Sequence, residues 1–146
     1  MSAPGEGVPS GDPVELDVLD EATCLELLAS VPVGRLGFVS RGAPVVLPVN
    51  HAVHDGCVVF RTAIGSKLDA AERDDRPRVV YEADAVEGDV EGGWSVVVHG
   101  RMEPVLDLIE QAKLERLGLR TWAEDPSRRR WLCIRPERIT GRRITG

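Results

Sequence analysis

The chain has 146 residues, a formal net charge of −6 at pH 7 and a sequence pI near 5.1. This length fits one domain that can bury its own hydrophobic core. The excess of acidic residues argues against nucleic acid or an anionic membrane surface as the main partner. Because no apolar run approaches the roughly 18 residues of a membrane span and no signal-peptide core is present, we expect a cytoplasmic protein.

The three cysteines, Cys24, Cys57 and Cys133, are odd in number and widely spaced, and each lies in an apolar stretch. This usage is typical of buried thiols in a reducing compartment. A metal site built from His51, His54 and Cys57 would lack a fourth ligand and would straddle a turn, so we expect no metal.

The first part of the chain reads as a tail followed by a helix. Residues 1–15 are rich in Gly and Pro and are predicted to be a disordered tail, with a single domain over residues 16–146. Asp20 is predicted to cap a helix that Pro32 ends. The apolar stripe of this helix comprises Cys24, Leu27, Leu28 and Val31.

The remainder of the chain is dominated by short β-rich runs. Asp55-Gly56 and, more weakly, Arg41-Gly42 are predicted hairpin turns, and an acidic loop is predicted over residues 87–93. Strands are predicted over residues 34–40, 44–53, 57–62, 78–83, 94–101, 131–135 and 139–144. Two further helices are predicted over residues 66–72 and 105–117, the second with an apolar stripe of Val105, Leu108, Ile109 and Ala112. The pattern predicts a mainly β fold, a small antiparallel barrel with a few helices.

A cluster of cationic and hydroxyl groups lies at the end of the third predicted strand and just beyond it. Arg61 ends this strand, and Ser66 and Lys67 open the next helix. An arginine can clamp two phosphate oxygens, while a helix N-terminus offers unpaired amides. The alternative is a plain strand, turn and helix in which Ser66 only caps and both cations are solvated; the spacing favours neither.

Two other regions could contact a ligand. Pro48 marks an edge or a bulge in its strand, and Asn50 carries donor and acceptor groups that suit a uracil-like ring edge; a polar strand end is an equal alternative. Only 4% of the chain is aromatic, so each tryptophan is a core anchor or a wall for a planar ligand. We favour core or a dimer interface for Trp94 and rank ligand wall and interface equally for Trp131.

Several motifs occur in one order along residues 16–144, and their order and spacing are specific. They are Val33-Gly34-Arg35-Leu36-Gly37, Pro48-Val49-Asn50-His51, Phe60-Arg61-Thr62 with Gly65-Ser66-Lys67, Gly93-Trp94-Ser95-Val96-Val97-Val98-His99-Gly100-Arg101, and Ile134-Arg135-Pro136. In this arrangement the chain resembles the pyridoxamine 5′-phosphate oxidase-like flavoproteins, and more narrowly the small subgroup that includes nitroimidazole-resistance-type reductases.

The resemblance implies a six-stranded antiparallel split β-barrel that binds FMN as a homodimer, with a flavin in each of two clefts between protomers. By position, Arg61, Ser66 and Lys67 would hold the phosphate. The isoalloxazine ring would lie along Val49, Asn50 and His51, and Thr62 and Ala63 would approach the ribityl chain or ring. Trp94, Ser95 and, less directly, Trp131 would come from the neighbouring protomer.

The chain departs from the biosynthetic oxidase at its end, Gly141-Arg142-Arg143-Ile144-Thr145-Gly146, which lacks that enzyme's arginine-leucine-proline ending. Oxidation of vitamin B6 is therefore not expected. Our first hypothesis is an FMN-dependent oxidoreductase acting on a small molecule, with no protein acid or base identified. The alternative is a dimer without turnover that binds or senses a flavin, a deazaflavin or haem.

Overall fold

The computed structural model describes residues 15–63, 76–87, 92–119 and 129–145. These residues form eight strands and two helices. The strands are β1 (Glu15–Val18), β2 (Val33–Ser40), β3 (Ala43–Asn50), β4 (Ala52–His54), β5 (Cys57–Ala63), β6 (Arg78–Glu87), β7 (Gly92–Pro104) and β8 (Arg129–Thr145). The helices are α1 (Glu21–Ala29) and α2 (Leu108–Glu115). The mainly β class predicted from the sequence is confirmed.

All strands join one antiparallel sheet in the order β3-β2-β6-β7-β8-β5-β4, and β1 pairs with β8. The edge strands β3 and β4 lie at opposite ends of this order, yet His51 alone separates them in the chain. The sheet must therefore curl until its two edges meet, which gives a half-barrel with a seam at His51. The backbone N–H of His51 donates to the carbonyl of Pro32, 3.0 Å away, just ahead of β2.

The inside of the curled sheet holds the main core. Its largest fully buried members are Tyr81, Phe60, Leu28, Leu36, Met102, Leu132 and Ile134. Gly34 is required at its position on β2, because a Cβ there would collide with the ring of Tyr81. A second, smaller core lies on the outer face under α2 and comprises Val59, Leu114, Trp131 and Cys133.

Helix α1 begins as the sequence predicts. The Asp20 carboxylate accepts a hydrogen bond from the Thr23 N–H at 2.8 Å. Hydrogen bonding from the Thr23 side chain, and secondly from this N–H, lowers the pKa of Asp20. Cys24 and Leu28 are fully buried against the sheet. The helix thus covers one side of the half-barrel, with Leu28 close to the seam.

Two strand predictions need correction. The strand predicted over residues 44–53 is interrupted at His51, because the chain there passes from one edge of the sheet to the other. The two closing strands predicted near the end are instead one continuous strand, β8. Gly100 pairs with Pro136 and His99 with Arg138, so Glu137 is an extra residue in the ladder. Pro136 has no N–H to donate, which suits this bulge.

The predicted second helix is also too long, and its predicted stripe is wrong. The Asp107 side chain accepts from the Ile109 N–H at 2.8 Å and starts the helix there. Val105 is not helical, because its N–H donates to the carbonyl of Trp131. Leu108 and Ile109 are 77% and 69% exposed, whereas Leu114 is buried.

The hairpin turns are confirmed, since both residues of Arg41-Gly42 and of Asp55-Gly56 have positive φ, as type I′ turns require. Strands β6 and β7 are longer than predicted and take in both ends of the predicted loop over residues 87–93. The predicted helix over residues 66–72 lies outside the described residues. Neither helix of the described ranges is long and apolar enough to cross a bilayer.

Candidate functional site

Arg61 and Trp131 are directly opposite each other on the neighbouring strands β5 and β8. Val59 belongs to the outer core, while Val58 and Phe60 belong to the inner core. Because side chains alternate along a strand, Arg61 lies on the same outer face as Val59. The guanidinium carbon of Arg61 lies 5.4 Å from the centre of the Trp131 ring, a cation–π contact.

Glu115, the last residue of α2, joins these two side chains. Its Oε1 accepts from Arg61 Nη1 at 3.1 Å, and its Oε2 accepts from Trp131 Nε1 at 2.9 Å. Leu114, next to it, is buried in the outer core and fixes the end of the helix against the sheet. Arg61 is therefore held on one side by an aromatic ring and on another by a carboxylate.

Arg61 nevertheless keeps an unused donor. Its Nε is buried and has no hydrogen-bond partner among the residues that the structure describes. The side chain as a whole is 22% exposed. A buried donor without a partner costs roughly 1–3 kcal/mol, and more when the group is charged, so this geometry fits an acceptor other than the residues that the structure describes.

The predicted ring-contact residues lie around the seam of the half-barrel. Val49 is buried on β3, and its carbonyl lies 2.9 Å from the Tyr81 hydroxyl. Asn50 is the last residue of β3 and is half-buried. His51, only 4% exposed, has its Nε2 2.8 Å from the carbonyl of Leu28 and its Nδ1 2.6 Å from the hydroxyl of Tyr81. Both ring nitrogens of His51 are thus used inside the protein.

The protonation of His51 follows from these partners. A carbonyl only accepts, so Nε2 must carry the proton that it donates to Leu28. Burial lowers the pKa of His51, and in the neutral ring Nδ1 is then an acceptor for the Tyr81 hydroxyl. The single hydroxyl proton is shared between Nδ1 and the carbonyl of Val49. Burial also raises the pKa of Tyr81, which keeps this proton in place.

The remaining predicted site residues are divided between the two faces. Thr62 is buried and follows Phe60 on the inner face by strand alternation. Ala63 ends β5 opposite Arg129. Trp94 is 6% exposed and packs in the main core, whereas Ser95 is half-buried on the opposite face of β7. Ser66 and Lys67 lie outside the described residues.

The structure thus brings Arg61 and Trp131 together on the outer face, and gathers Val49, His51, Thr62 and Trp94 with the inner core. Sequence reasoning missed Glu115 and Tyr81. Glu115 is 54 residues from Arg61 in the chain, and helical spacing does not tell which strand a helix end meets. Tyr81 stands alone as the only tyrosine, a signal that could have marked it.

A cavity of about 450 Å³ opens between α2 and the outer face of β4, β5 and β8. At one end His54 Nε2 lies 3.4 Å from Asp55 Oδ2 and 3.7 Å from Glu110 Oε1. This set of His54, Asp55 and Glu110 differs from the triplet His51, His54 and Cys57 that was considered from the sequence, because His51 is buried at the seam. Asp55 is 79% exposed, and we assign no metal to the cluster.

The two thiols that line this cavity, Cys57 and Cys133, are protonated at neutral pH. Burial raises the pKa of Cys133 to about 11 and also raises the pKa of Cys57. All three cysteines are free; Cys24 and Cys133 are buried as predicted, whereas Cys57 is half-buried. None of them has the lowered pKa of a reactive thiolate.

Comparison with known proteins agrees with this architecture. The uncharacterized protein Rv0080 of Mycobacterium tuberculosis is 38% identical over 133 residues, which cover 89% of this chain and 86% of that protein. A candidate pyridoxamine 5′-phosphate oxidase from Corynebacterium glutamicum has a TM-score of 0.75 at 32% identity, covering 89% of this chain and 94% of the other.

Two further structures share the fold. The FAD binding protein from Mycobacterium smegmatis has a TM-score of 0.71 at 33% identity, over 88% of this chain and all of that one. A candidate 5-nitroimidazole antibiotic resistance protein from Bacteroides thetaiotaomicron has a TM-score of 0.73 at 14% identity, over 91% and 90% of the two chains. The family model described as pyridoxamine 5′-phosphate oxidase matches residues 20–143. The chain therefore belongs to the pyridoxamine 5′-phosphate oxidase family and has its split-barrel fold.

Proposed function

We propose that this protein binds FMN, with the phosphate at Arg61, and acts as an oxidoreductase on a small molecule. The observation that carries the proposal is the buried Nε of Arg61, which has no acceptor in the described part of the chain. An arginine presents its N–H groups as a planar fork that matches two phosphate oxygens. A phosphate at the end of β5 would supply the missing acceptor.

The position of Arg61 in the chain supports the same assignment. It precedes Gly65-Ser66-Lys67 by only a few residues, so Ser66 and Lys67 would complete the phosphate site with a hydroxyl and a second cation. The cation–π contact with Trp131 keeps the guanidinium in one orientation. Preorganisation of this kind reduces the entropy that ligand binding would otherwise cost.

The seam offers a place for the flavin ring. Asn50 is half-buried where β3 ends, and β3 and β5 are in contact. Thus Asn50 would meet the pyrimidine edge, with Val49 beneath it and Thr62 and Ala63 towards the ribityl chain. His51 would act by holding the seam, since its nitrogens already bind Leu28 and Tyr81. Of the residues expected from the partner protomer, Ser95 is half-buried and would contribute from there. Trp94 and Trp131 are buried in the cores of their own chain, and Trp131 would act beside Arg61 of the same protomer.

The bound flavin would supply hydride or single-electron chemistry, and the protein would hold and orient it. We propose no protein acid or base. His51 has a lowered pKa and both nitrogens occupied, and the thiols near the cavity stay protonated. The work of this chain would be to bind the phosphate, exclude water and set the environment of the ring.

A homodimer is part of the proposal. Leu106, Leu108 and Ile109 are 77%, 77% and 69% exposed at the start of α2. Three neighbouring apolar side chains in solvent are typical of a surface that another protein covers. A second copy of this chain would bury them and would place the clefts between protomers.

The test is a binding titration with FMN, FAD and riboflavin, which lacks the phosphate. Arg61→Gln should weaken FMN binding roughly ten- to hundredfold, because charge-assisted bonds contribute about 1.5–3 kcal/mol each. Riboflavin binding should not change. Arg135→Gln is the matched control, since Arg135 pairs with Glu103 at 2.7 Å. The proposal is wrong if wild type takes up no flavin, or if Arg61→Gln binds FMN as tightly as wild type.

A binding protein without turnover is the second candidate, and one observation favours it. Both ring nitrogens of His51 are committed to contacts within the chain, and Arg61 is a permanent cation, so neither is held ready as an acid or base. The absorption spectrum of purified protein separates flavin, deazaflavin and haem. Rapid-mixing reduction by NADH and NADPH, followed by reoxidation, would show turnover; a bound flavin that is not reduced would favour this second candidate.

A further inference from the structure

We infer that Glu115 is an internal competitor for the phosphate at Arg61, and so sets the affinity of the site for phosphorylated ligands. The inference rests on the proposed function. Glu115 Oε1 accepts from Arg61 Nη1 at 3.1 Å while Oε2 accepts from Trp131 Nε1 at 2.9 Å. Its carboxylate thus occupies the kind of position that a ligand anion would take.

Charge makes the two anions compete. A phosphate that bound Arg61 beside Glu115 would place two negative groups around one guanidinium, and this repulsion is strong where water is partly excluded. Arg61 is only 22% exposed on its side chain. We therefore expect the phosphate to displace Glu115 from Arg61.

Displacement needs only a local change. The Glu115 side chain is 50% exposed, so it can turn into solvent. Leu114 is 1% exposed and packs with Val59 and Trp131, which keeps α2 on the sheet when the carboxylate leaves. The indole N–H of Trp131 then loses its acceptor. A change in the signal of this N–H would therefore report that Glu115 has been displaced.

The first experiment compares Glu115→Gln with wild type in titrations with FMN and riboflavin. Glu115→Gln should bind FMN about tenfold more tightly, because it removes the competing charge and leaves one amide oxygen where the carboxylate offers two, so that Arg61 and Trp131 no longer both have an acceptor. Riboflavin affinity should not change. Glu110→Gln is the matched control. It removes the same charge from α2, but in wild type Glu110 pairs with Lys113. The FMN affinity of this variant should stay at the wild-type value.

The second experiment follows the indole N–H of Trp131 by NMR, with Trp131→Phe to assign its signal among three tryptophans. FMN should shift this signal in wild type in the direction that Glu115→Gln shifts it without ligand, and riboflavin should not. Equal FMN affinities for wild type and Glu115→Gln, or an unshifted indole signal, would overturn the competition alone. Failure of every variant to bind flavin would instead overturn the proposed function and the competition with it.

Discussion

Removal of the Tyr81 hydroxyl tests how the seam of the half-barrel is held. Tyr81 is fully buried. The centre of its ring lies 6.4 Å from that of Phe60, at an interplanar angle of 12°, and 5.0 Å from that of His51 in an edge-to-face arrangement. Tyr81→Phe keeps these ring contacts. It deletes only the hydroxyl that bonds His51 Nδ1 at 2.6 Å and the carbonyl of Val49 at 2.9 Å.

The cost follows from the two acceptors that lose their donor. Each buried polar group without a partner costs roughly 1–3 kcal/mol. Because one hydroxyl proton served both acceptors, we expect the free energy of unfolding to fall by about 2–4 kcal/mol in total. The free energy of unfolding of a domain of this size is roughly 5–15 kcal/mol, so a decrease of this magnitude is large enough to measure.

Urea unfolding of wild type and Tyr81→Phe measures this difference. Ser30→Ala is a control that also deletes a hydroxyl bond, to the Leu27 carbonyl at 2.6 Å, but at an exposed helix end. Its cost should stay below about 1 kcal/mol because water replaces the lost partner. If Tyr81→Phe is no less stable than Ser30→Ala, the seam does not depend on the His51–Tyr81 pair.

Two further predictions concern pH and assembly. Burial lowers the pKa of His51 from its usual 6.5, so the unfolded chain takes up a proton before the folded chain does as pH falls below 6.5, and the free energy of unfolding decreases there. His51→Gln should lose less stability than wild type between pH 7.5 and 5.5 in urea unfolding. An identical loss would contradict a buried, neutral His51. For the proposed dimer, light scattering should give twice 15.9 kDa for wild type, and Leu108→Asp with Ile109→Asp should give a monomer; an unchanged mass for this variant would place the interface elsewhere.

The elements with local signals could be predicted from the sequence. Asp20 caps α1 as expected, because its carboxylate and the N–H of Thr23 are three residues apart. The alternation of β7 was also predictable, since Trp94, Val96 and Val98 repeat every second residue and face the core. Such signals act within a few residues of chain, where spacing determines geometry.

The features that depend on distant contacts could not be predicted in this way. The interruption at His51 arises because β3 and β4 are opposite edges of a curled sheet. The stripe of α2 was assigned to the wrong face, because α2 is held by Leu114 and Glu115 and not by Leu108 or Ile109. Arg61 was found as a candidate from its position at the end of a predicted strand, whereas its partner Glu115 could be found only from the fold.

A crystal structure of the protein with FMN would test the phosphate site at Arg61 most directly. We expect phosphate oxygens about 2.7–2.9 Å from the guanidinium of Arg61, the usual range for charged pairs. Arg61 Nε should have gained an acceptor, and Glu115 should no longer bond Arg61. An FMN phosphate bound away from Arg61, with the Arg61–Glu115–Trp131 contacts intact, would show that Arg61 is not the phosphate site.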